Sequence, residues 1–229
     1  MFQKNFSKKC LAALTMMSAM AFSSVSGAAL IDGGFESPDA SGGDVGGCAG
    51  NAWDCFNSNF ITSNLINDPD NGIYNNPGAY EGTQMLKQFG SDAGYLQSIS
   101  VNGGDEVTGT VFATGWTGEA WANLELLQIK FFDANDIELS VHETFGATDG
   151  SQEFLITNST GEFASDWTEM SLTAVADADA VRAQMLLLHI DLGGGGAIFL
   201  DDASLEVSAV PVPAAVWLFG SGLLGLVGV

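Results

Sequence analysis

Five aromatic side chains occur in parts of the sequence that favour loops, where packing in a core explains them poorly. Trp53 lies near Cys55, Tyr74 and Tyr80 lie among Gly, Asn and Pro residues, and Trp116 and Trp121 flank residues 117–120. An aromatic face stacks on the C–H side of a sugar ring, while neighbouring polar groups bind the hydroxyls. The pattern therefore predicts sugar contacts at these five side chains, with core packing or loop anchoring as the alternative for each.

The sequence offers little for catalysis. Its two histidines, His142 and His189, lie within predicted strands, where we expect satisfied structural roles. It contains no nucleophile elbow, zinc-protease helix motif or phosphate loop. Two acids can hydrolyse a glycosidic bond, but no spacing among the 28 acidic residues singles out a pair. We therefore predict that the protein is not an enzyme, and glycoside hydrolysis stays an alternative.

Cys48 and Cys55 lie close together in a stretch rich in Gly and Asn. In an oxidising compartment two such cysteines pair, and closing so short a loop contributes roughly 2.5 kcal/mol in the chain-entropy model. A zinc site at these cysteines is not expected, because no histidine or further cysteine lies nearby to complete four ligands. We predict a disulfide that pins a loop.

The charge of the chain is strongly acidic. Beyond residue 28 only Lys87, Lys130 and Arg182 are basic, against all 28 acidic residues. Such a surface repels nucleic acid, which is bound through its phosphates, and anionic lipid head groups. Carboxylates that repel one another lower stability unless cations such as extracellular calcium screen them. We expect no nucleic-acid partner, and plain solubility is the other explanation of the total charge.

Residues 1–28 have the pattern of a secretory signal peptide. Lysines at positions 4, 8 and 9 give a positive start, residues 10–22 are apolar, and residues 26–28 are small. The apolar stretch is too short to span a membrane as a helix. We predict export across the inner membrane and removal of this segment.

Residues 209–229 end the chain with an apolar segment. A Val-Pro-Val-Pro step precedes sixteen residues without charge, which as a helix would reach about 24 Å, short of the roughly 30 Å hydrocarbon layer. The segment resembles the PEP-CTERM sorting signal of Gram-negative bacteria through Pro211, Pro213, Ala214, Ala215, Trp217 and the Gly-Ser-Gly triplet, although the basic cluster that closes that signal is missing. The resemblance implies a C-terminal apolar helix, an exosortase-type processing enzyme as partner, and transient anchoring in the membrane.

Residues 29–208 have the length of one domain. Runs rich in Val, Ile, Phe, Leu and Thr alternate with Gly, Asn and Asp turns, and no helical periodicity lasts beyond a turn or two. Strands are predicted at 95–101, 107–113, 124–132, 137–141, 167–175, 181–190 and 198–207, with 192–196 as a hairpin connection. We expect an all-β sandwich of about nine or ten antiparallel strands.

Four motifs in this domain resemble, in order, those of jelly-roll carbohydrate-binding modules of the galactose-binding-like superfamily. They are Ile-Asp-Gly-Gly-Phe-Glu at 31–36, Leu-Gln-Ser-Ile-Ser-Val at 96–101, Phe-Phe-Asp-Ala-Asn at 131–135 and Phe-Leu-Asp-Asp-Ala-Ser-Leu at 199–205. Asp32 stands where this family usually has Asn. The resemblance implies a jelly-roll sandwich and a polysaccharide ligand.

The same resemblance implies that the first and last strands are neighbours, so that Glu36 approaches Asp201 and Asp202. Carboxylates brought together without basic partners do not all stay ionised without a cost in free energy. A Ca²⁺ ion, which takes about six to eight oxygen ligands, removes this repulsion. We predict a structural calcium ion at these three acids, with solvated turn residues as the alternative.

These patterns together predict an exported protein of the cell surface or extracellular matrix that binds polysaccharide or exopolysaccharide through a calcium-stabilised sandwich. One alternative is a non-catalytic structural or self-assembling matrix (biofilm) protein without sugar affinity. The other is the glycoside hydrolase.

Overall fold

A computed structural model of the chain describes residues 29–41, 43–46, 52–63, 65–68, 72–75, 78–90, 92–116, 123–147, 152, 154–156, 158–159, 167–192 and 196–208. The predicted signal peptide, the predicted sorting signal, Cys48 and Trp121 lie outside these ranges. No helix in the described ranges is long and apolar enough to cross a membrane.

The described residues form fifteen strands. They are β1 (Val45–Gly46), β2 (Asp54–Phe56), β3 (Asn59–Ser63), β4 (Leu65–Asp68), β5 (Gly72–Asn75), β6 (Gln84–Phe89), β7 (Ala93–Ser100), β8 (Glu106–Trp116), β9 (Asn123–Phe132), β10 (Glu138–Ala147), β11 (Phe154–Leu155), β12 (Asn158–Ser159), β13 (Thr168–Val175), β14 (Arg182–Asp191) and β15 (Ala197–Ser208). The predicted all-β class is confirmed, and each predicted strand lies within one or two residues of an observed one, or inside it.

Two sheets make the sandwich. The first has the order β1-β3-β6-β15-β8-β12, with β13 also paired to β8, and the second has the order β11-β10-β9-β14-β7-β2. Pairing is antiparallel except for the two short edge strands, β11 and β12. Strands β4 and β5 form a separate hairpin.

Most connections between the long strands cross from one sheet to the other. Strand β7 lies in the second sheet and β8 in the first, and the same change of sheet separates β13 from β14. The connection at 192–196 also changes sheet, so the predicted hairpin between β14 and β15 is wrong. Among the long strands of the described ranges, β9 and β10 alone follow one another in the same sheet, and they form the hairpin that their turn at 133–136 predicts. The long strands of each sheet pack one face against the opposite sheet.

The core lies between the sheets and is filled by alternate residues of each strand. Ala183, Met185 and Leu187 of β14 share the inward face, as their spacing predicts, and each is fully buried. They face side chains such as Val111 and Leu200 of the first sheet within one apolar cluster. Burying such side chains supplies most of the driving force for folding.

The N-terminal segment of the domain is fastened to the last strand. The Ala203 N–H donates a hydrogen bond to the Gly33 carbonyl at 2.8 Å. A Cβ on Gly33 would lie 2.0 Å from the Ala203 carbonyl oxygen, so only glycine permits this approach. The N-terminal segment therefore lies beside β15 and places Glu36 and Asp201 in one region. It is not a strand, and the first strand, β1, pairs with β3, so the prediction that the first and last strands are neighbours is wrong.

Candidate functional site

Residues 78–83 form a loop across the outer face of the first sheet, and we call this loop, together with the first residue of β6, the 78–84 loop. Its polar backbone is held from two sides. One carboxylate comes from the N-terminal segment and one from β15, and we call this pair, Glu36 and Asp201, the carboxylate clamp.

Glu36 supplies the first half of the clamp. Its Oε1 accepts hydrogen bonds from the backbone N–H groups of Thr83 (2.7 Å) and Gln84 (3.0 Å), and its Oε2 accepts one from the Thr83 hydroxyl (2.9 Å). Gly82 has a φ of +66°, and a Cβ there would lie 2.0 Å from Glu36 Oε1. The loop therefore needs glycine at this position for the carboxylate to reach its donors.

Asp201 supplies the second half. Leu200 faces the core, so the next side chain points outward, where the 78–84 loop covers it completely. Its Oδ2 accepts from the Glu81 N–H at 3.0 Å, and its Oδ1 from the Asp202 N–H at 2.7 Å. Burial raises the pKa of Asp201 to about 7, against the lowering by these backbone donors, and the charge of Glu36 raises it further.

The start of the N-terminal motif is a tight turn that aims Glu36. Asp32 has a φ of +57°, a conformation that Asn and Asp tolerate better than most residues, and its carboxylate accepts from the Glu36 N–H at 2.9 Å. Burial raises the pKa of Asp32, opposed by its bonds to the Glu36 and Ser37 backbone. The carboxylate of Asp32 thus caps this turn.

The 78–84 loop presents an aromatic platform, which consists of Tyr80, Phe112 and Trp167. The Tyr80 ring stacks on Phe112 with centroids 3.7 Å apart and meets Trp167 edge-on at 6.2 Å. The Trp167 indole N–H donates to the Gly78 carbonyl at 3.1 Å. Tyr80 remains 37% exposed, so an aromatic surface faces solvent on a loop whose backbone is fixed.

The predicted sugar contact at Trp53 is wrong. Its side chain is only 2% exposed and packs against Phe35 and Tyr95, with ring centroids 5.4 and 5.3 Å away. Its indole N–H donates to the Asp32 carbonyl at 3.1 Å. The side chain therefore closes the core beneath the N-terminal turn. The residues around Trp53 are rich in Gly and Asn, which is typical of an exposed loop, and this composition gave no sign that the side chain points inward.

Of the four other predicted sugar-binding residues, the structure describes the side chain of Tyr80 only. Tyr80 lies in the platform. The backbones of Tyr74 and Trp116 lie in β5 and β8, but their side chains, like all of Trp121, fall outside the description. Phe112 and Trp167 were not among the five side chains that the sequence pattern predicted. The outward position of Phe112 follows from its place between the inward residues Val111 and Ala113.

The predicted calcium ligands are only partly brought together. Glu36 and Asp201 act on the same loop and are electrostatically coupled. Asp202 is half-buried and has a φ of +46°, at a bulge where β15 changes register against β8. Among the described residues no group of three or more His, Cys, Asp or Glu side chains is arranged to hold a metal ion.

The comparisons with known proteins are consistent with this fold. A cyclase from Fischerella sp. TAU, in complex with an indolyl butanone, is similar over 80% of this chain and 98% of its own, at 14% identity and a TM-score of 0.50. TmCBM61 in complex with β-1,4-galactotriose is similar over 78% and 97%, at 14% identity and 0.43. The enzymatically active domain of bacteriophage CBA120 tailspike protein 4 is similar over 69% of this chain, at 14% identity and a TM-score of 0.43. This chain spans only 20% of that protein.

At these identities the likeness extends to the fold alone. No protein-family model matches the chain, and no curated protein matches it. A shared fold does not establish function, so the function of this chain has to be argued from its own site.

Proposed function

We propose that the protein binds polysaccharide through the aromatic platform on the outer face of the first sheet. The observation that carries this proposal is Tyr80, an exposed ring backed by Phe112 and Trp167 on a loop that two carboxylates hold in place. A ring fixed in advance loses little conformational freedom when a sugar stacks on it, so more of the contact energy appears as affinity. Hydroxyl groups at Thr110 and Ser204, on the same face, are suitable partners for sugar hydroxyls.

The proposal is tested by affinity electrophoresis of the full chain against β-1,4-galactan, xylan and the exopolysaccharide of the producing cell. Tyr80→Ala should weaken retention at least tenfold, about 1.4 kcal/mol, while Tyr80→Phe keeps most of it. Phe56→Ala is the matched control, because Phe56 is 41% exposed on the second sheet. Equal retention of the wild type and Tyr80→Ala on every polysaccharide that binds would reject the platform as the site.

We also propose that a calcium ion stabilises the clamp. Glu36 and Asp201 fit this role, because both are carboxylates, they repel each other, and no basic side chain contacts either in the described structure. The ion would supply only charge neutralisation, allowing both acids to stay ionised while they hold the 78–84 loop. Thermal melting of the full chain with calcium and with chelator tests this, since an ion bound at a hundredfold excess over its Kd adds about 2.7 kcal/mol. An unchanged midpoint would contradict it.

The cellular context belongs to the same proposal. The chain is exported by residues 1–28, a disulfide between Cys48 and Cys55 forms after export, and residues 209–229 anchor it transiently until an exosortase-type enzyme processes it at the surface or in the matrix. Mass spectrometry of the protein recovered from the extracellular matrix tests all three statements. Retention of residues 1–28, or of free thiols at both cysteines, would remove the corresponding step.

Self-assembly without sugar affinity is a second candidate that one observation favours. Three apolar side chains at the end of the sandwich that carries the turn at 133–136 are exposed by 59% (Ile137), 57% (Val175) and 45% (Val181). Contiguous exposed apolar patches mark contact surfaces between proteins, and these three side chains lie at the same end of the sandwich. Analytical ultracentrifugation of Val175→Ser beside wild type distinguishes the two functions, because assembly that disappears in Val175→Ser while sugar is not retained would support the second.

A further inference from the structure

A cluster of polar side chains lies inside the sandwich, near the end of the sheets opposite to Ile137. Glu125 of β9 and His189 of β14 are direct register partners, and both point into the space between the layers. Gln88 of β6 in the first sheet contacts the carbonyl of Ala93, the register partner of His189, and the carbonyl of Leu187. All three side chains are fully buried.

Most polar atoms of this cluster have no partner. Among the described residues, both oxygens of Glu125, both ring nitrogens of His189 and Oε1 of Gln88 are buried without a hydrogen bond. His189 Nδ1 lies 3.9 Å from Glu125 Oε2, too far for a hydrogen bond. Each unpaired buried group costs roughly 1 to 3 kcal/mol, so five atoms in one place call for an occupant.

The side-chain amide nitrogen of Gln88 is already used in hydrogen bonds outside the cluster. It donates to Asn59 Oδ1 at 2.6 Å and to the carbonyls of Ala93 and Leu187 at 3.3 and 3.4 Å. The Gln88 side chain therefore offers its oxygen, an acceptor, to the cluster. The unpaired atoms are then three oxygens and an imidazole, a set with more acceptors than donors.

The surroundings favour a cation over an anion. Asp92 and Asp191 lie at the rim of this end, one before β7 and one at the end of β14, and their charges act on His189. Neither ring nitrogen of His189 has a hydrogen bond among the described residues, so the imidazole can present a nitrogen lone pair to a metal ion. Acidic groups at the rim would attract a cation toward the interior.

We propose that Glu125, His189 and the side-chain oxygen of Gln88 form an internal binding site for a divalent transition-metal ion of the zinc class. Imidazole nitrogen combined with carboxylate and amide oxygen suits zinc-class ions, whereas calcium takes oxygen ligands. The site is separate from the carboxylate clamp in both position and metal preference. Water completes the coordination, because the chain supplies three side-chain ligands.

The two histidines of the chain make the test selective. In long-range ¹H–¹⁵N spectra of the full chain with calcium present, one equivalent of ZnCl₂ should shift the ring nitrogens of His189 and leave those of His142 in place. His142 is the internal control, because its Nε2 lies 3.5 Å from the Ser140 hydroxyl in a different part of the sandwich. Unchanged His189 signals at a tenfold excess of zinc would overturn the proposal, and would leave a proton or water as the occupant.

Calorimetry with variants gives an independent measurement. Glu125→Gln and His189→Asn should each weaken zinc binding at least tenfold and leave calcium binding unchanged, whereas His142→Asn should alter neither. Zinc affinities within twofold of wild type in both cluster variants would contradict the site. If His189→Asn does not fold, Glu125→Gln and the wild-type spectra still decide.

Discussion

The molecule contains two regions in which a buried carboxylate lies close to another ionisable side chain, and they differ in how the polar atoms are satisfied. In the carboxylate clamp, both oxygens of Glu36 and of Asp201 accept hydrogen bonds. The donors are backbone N–H groups and the hydroxyl of Thr83 in the 78–84 loop, and the backbone N–H of Asp202. In the internal cluster, the side chains of Glu125 and His189 form no hydrogen bond among the described residues. The clamp is thus complete as a polar network, and the cluster is not.

This difference indicates which acid stabilises the fold and which one destabilises it. A buried carboxylate that accepts backbone donors stabilises the segment that donates, and its removal leaves those donors unpaired. A buried pair without partners bears the cost of desolvation and gains little in return. Removing an acid should therefore have opposite effects on stability in the two regions.

The largest effect is expected at Asp201. Asp201→Ala should lower the free energy of unfolding by about 3 kcal/mol, because it leaves the Glu81 and Asp202 N–H groups without their acceptor in a covered site. Urea unfolding measures this. Asp202→Asn is the matched control, since Asn tolerates the positive φ at that position, and its effect should stay below about 0.5 kcal/mol. An equal loss of unfolding free energy in both variants would show that the hydrogen bonds of Asp201 do not stabilise the fold more than its neighbour does.

An effect of opposite sign is expected in the cluster. In chelator, the double variant Glu125→Met and His189→Leu should raise the free energy of unfolding by about 1 to 2 kcal/mol, since apolar groups of similar size replace unpaired polar ones. The midpoint in urea measures the change. A destabilised double variant would mean that Glu125 and His189 already satisfy each other in the protein without metal.

A smaller effect concerns pH. The pKa of Asp201 rises from 3.8 to about 7 on folding, so the folded state holds its proton over a range in which the unfolded state has lost it. With chelator present, the contribution of Asp201 to the free energy of unfolding should therefore be greatest below about pH 4 and should fall as the pH rises to about 7. Calcium should abolish this fall, because it favours the ionised clamp. A melting temperature in chelator that rises through this range, in wild type but not in Asp201→Asn, would contradict the assignment.

Much of the fold was accessible from the sequence because it depends on local patterns. The alternation in 95–101 and 181–190, and the Asp-Ala-Asn-Asp turn at 133–136, each predict an element that the structure contains. The partner sheet of each strand was not accessible, since a Gly-rich connection such as 192–196 is compatible with a hairpin and with a change of sheet. Short strands such as β1 and β2 are fixed by pairing and leave no hydrophobic pattern of their own.

The site was predicted less completely, for the same physical reason. The resemblance of the motif at 31–36 brought Glu36 and Asp201 together, but it could not show that their partners are backbone N–H groups of the 78–84 loop. Trp53 and Tyr80 occupy similar loop sequences, yet one is buried against Tyr95 and the other is exposed on Phe112. Only tertiary packing separates them. The internal cluster has no sequence signature, because Glu125 and His189 meet through strand register alone.

The most direct test of the account is the sugar affinity of Glu36→Gln, measured by calorimetry with whichever polysaccharide retains the wild type. Glu36 holds the 78–84 loop without belonging to the aromatic platform. If the clamp orders Tyr80 for binding, Glu36→Gln should lose at least fivefold in affinity, about 1 kcal/mol, at a temperature where the variant is fully folded. Wild-type affinity in folded Glu36→Gln would contradict it.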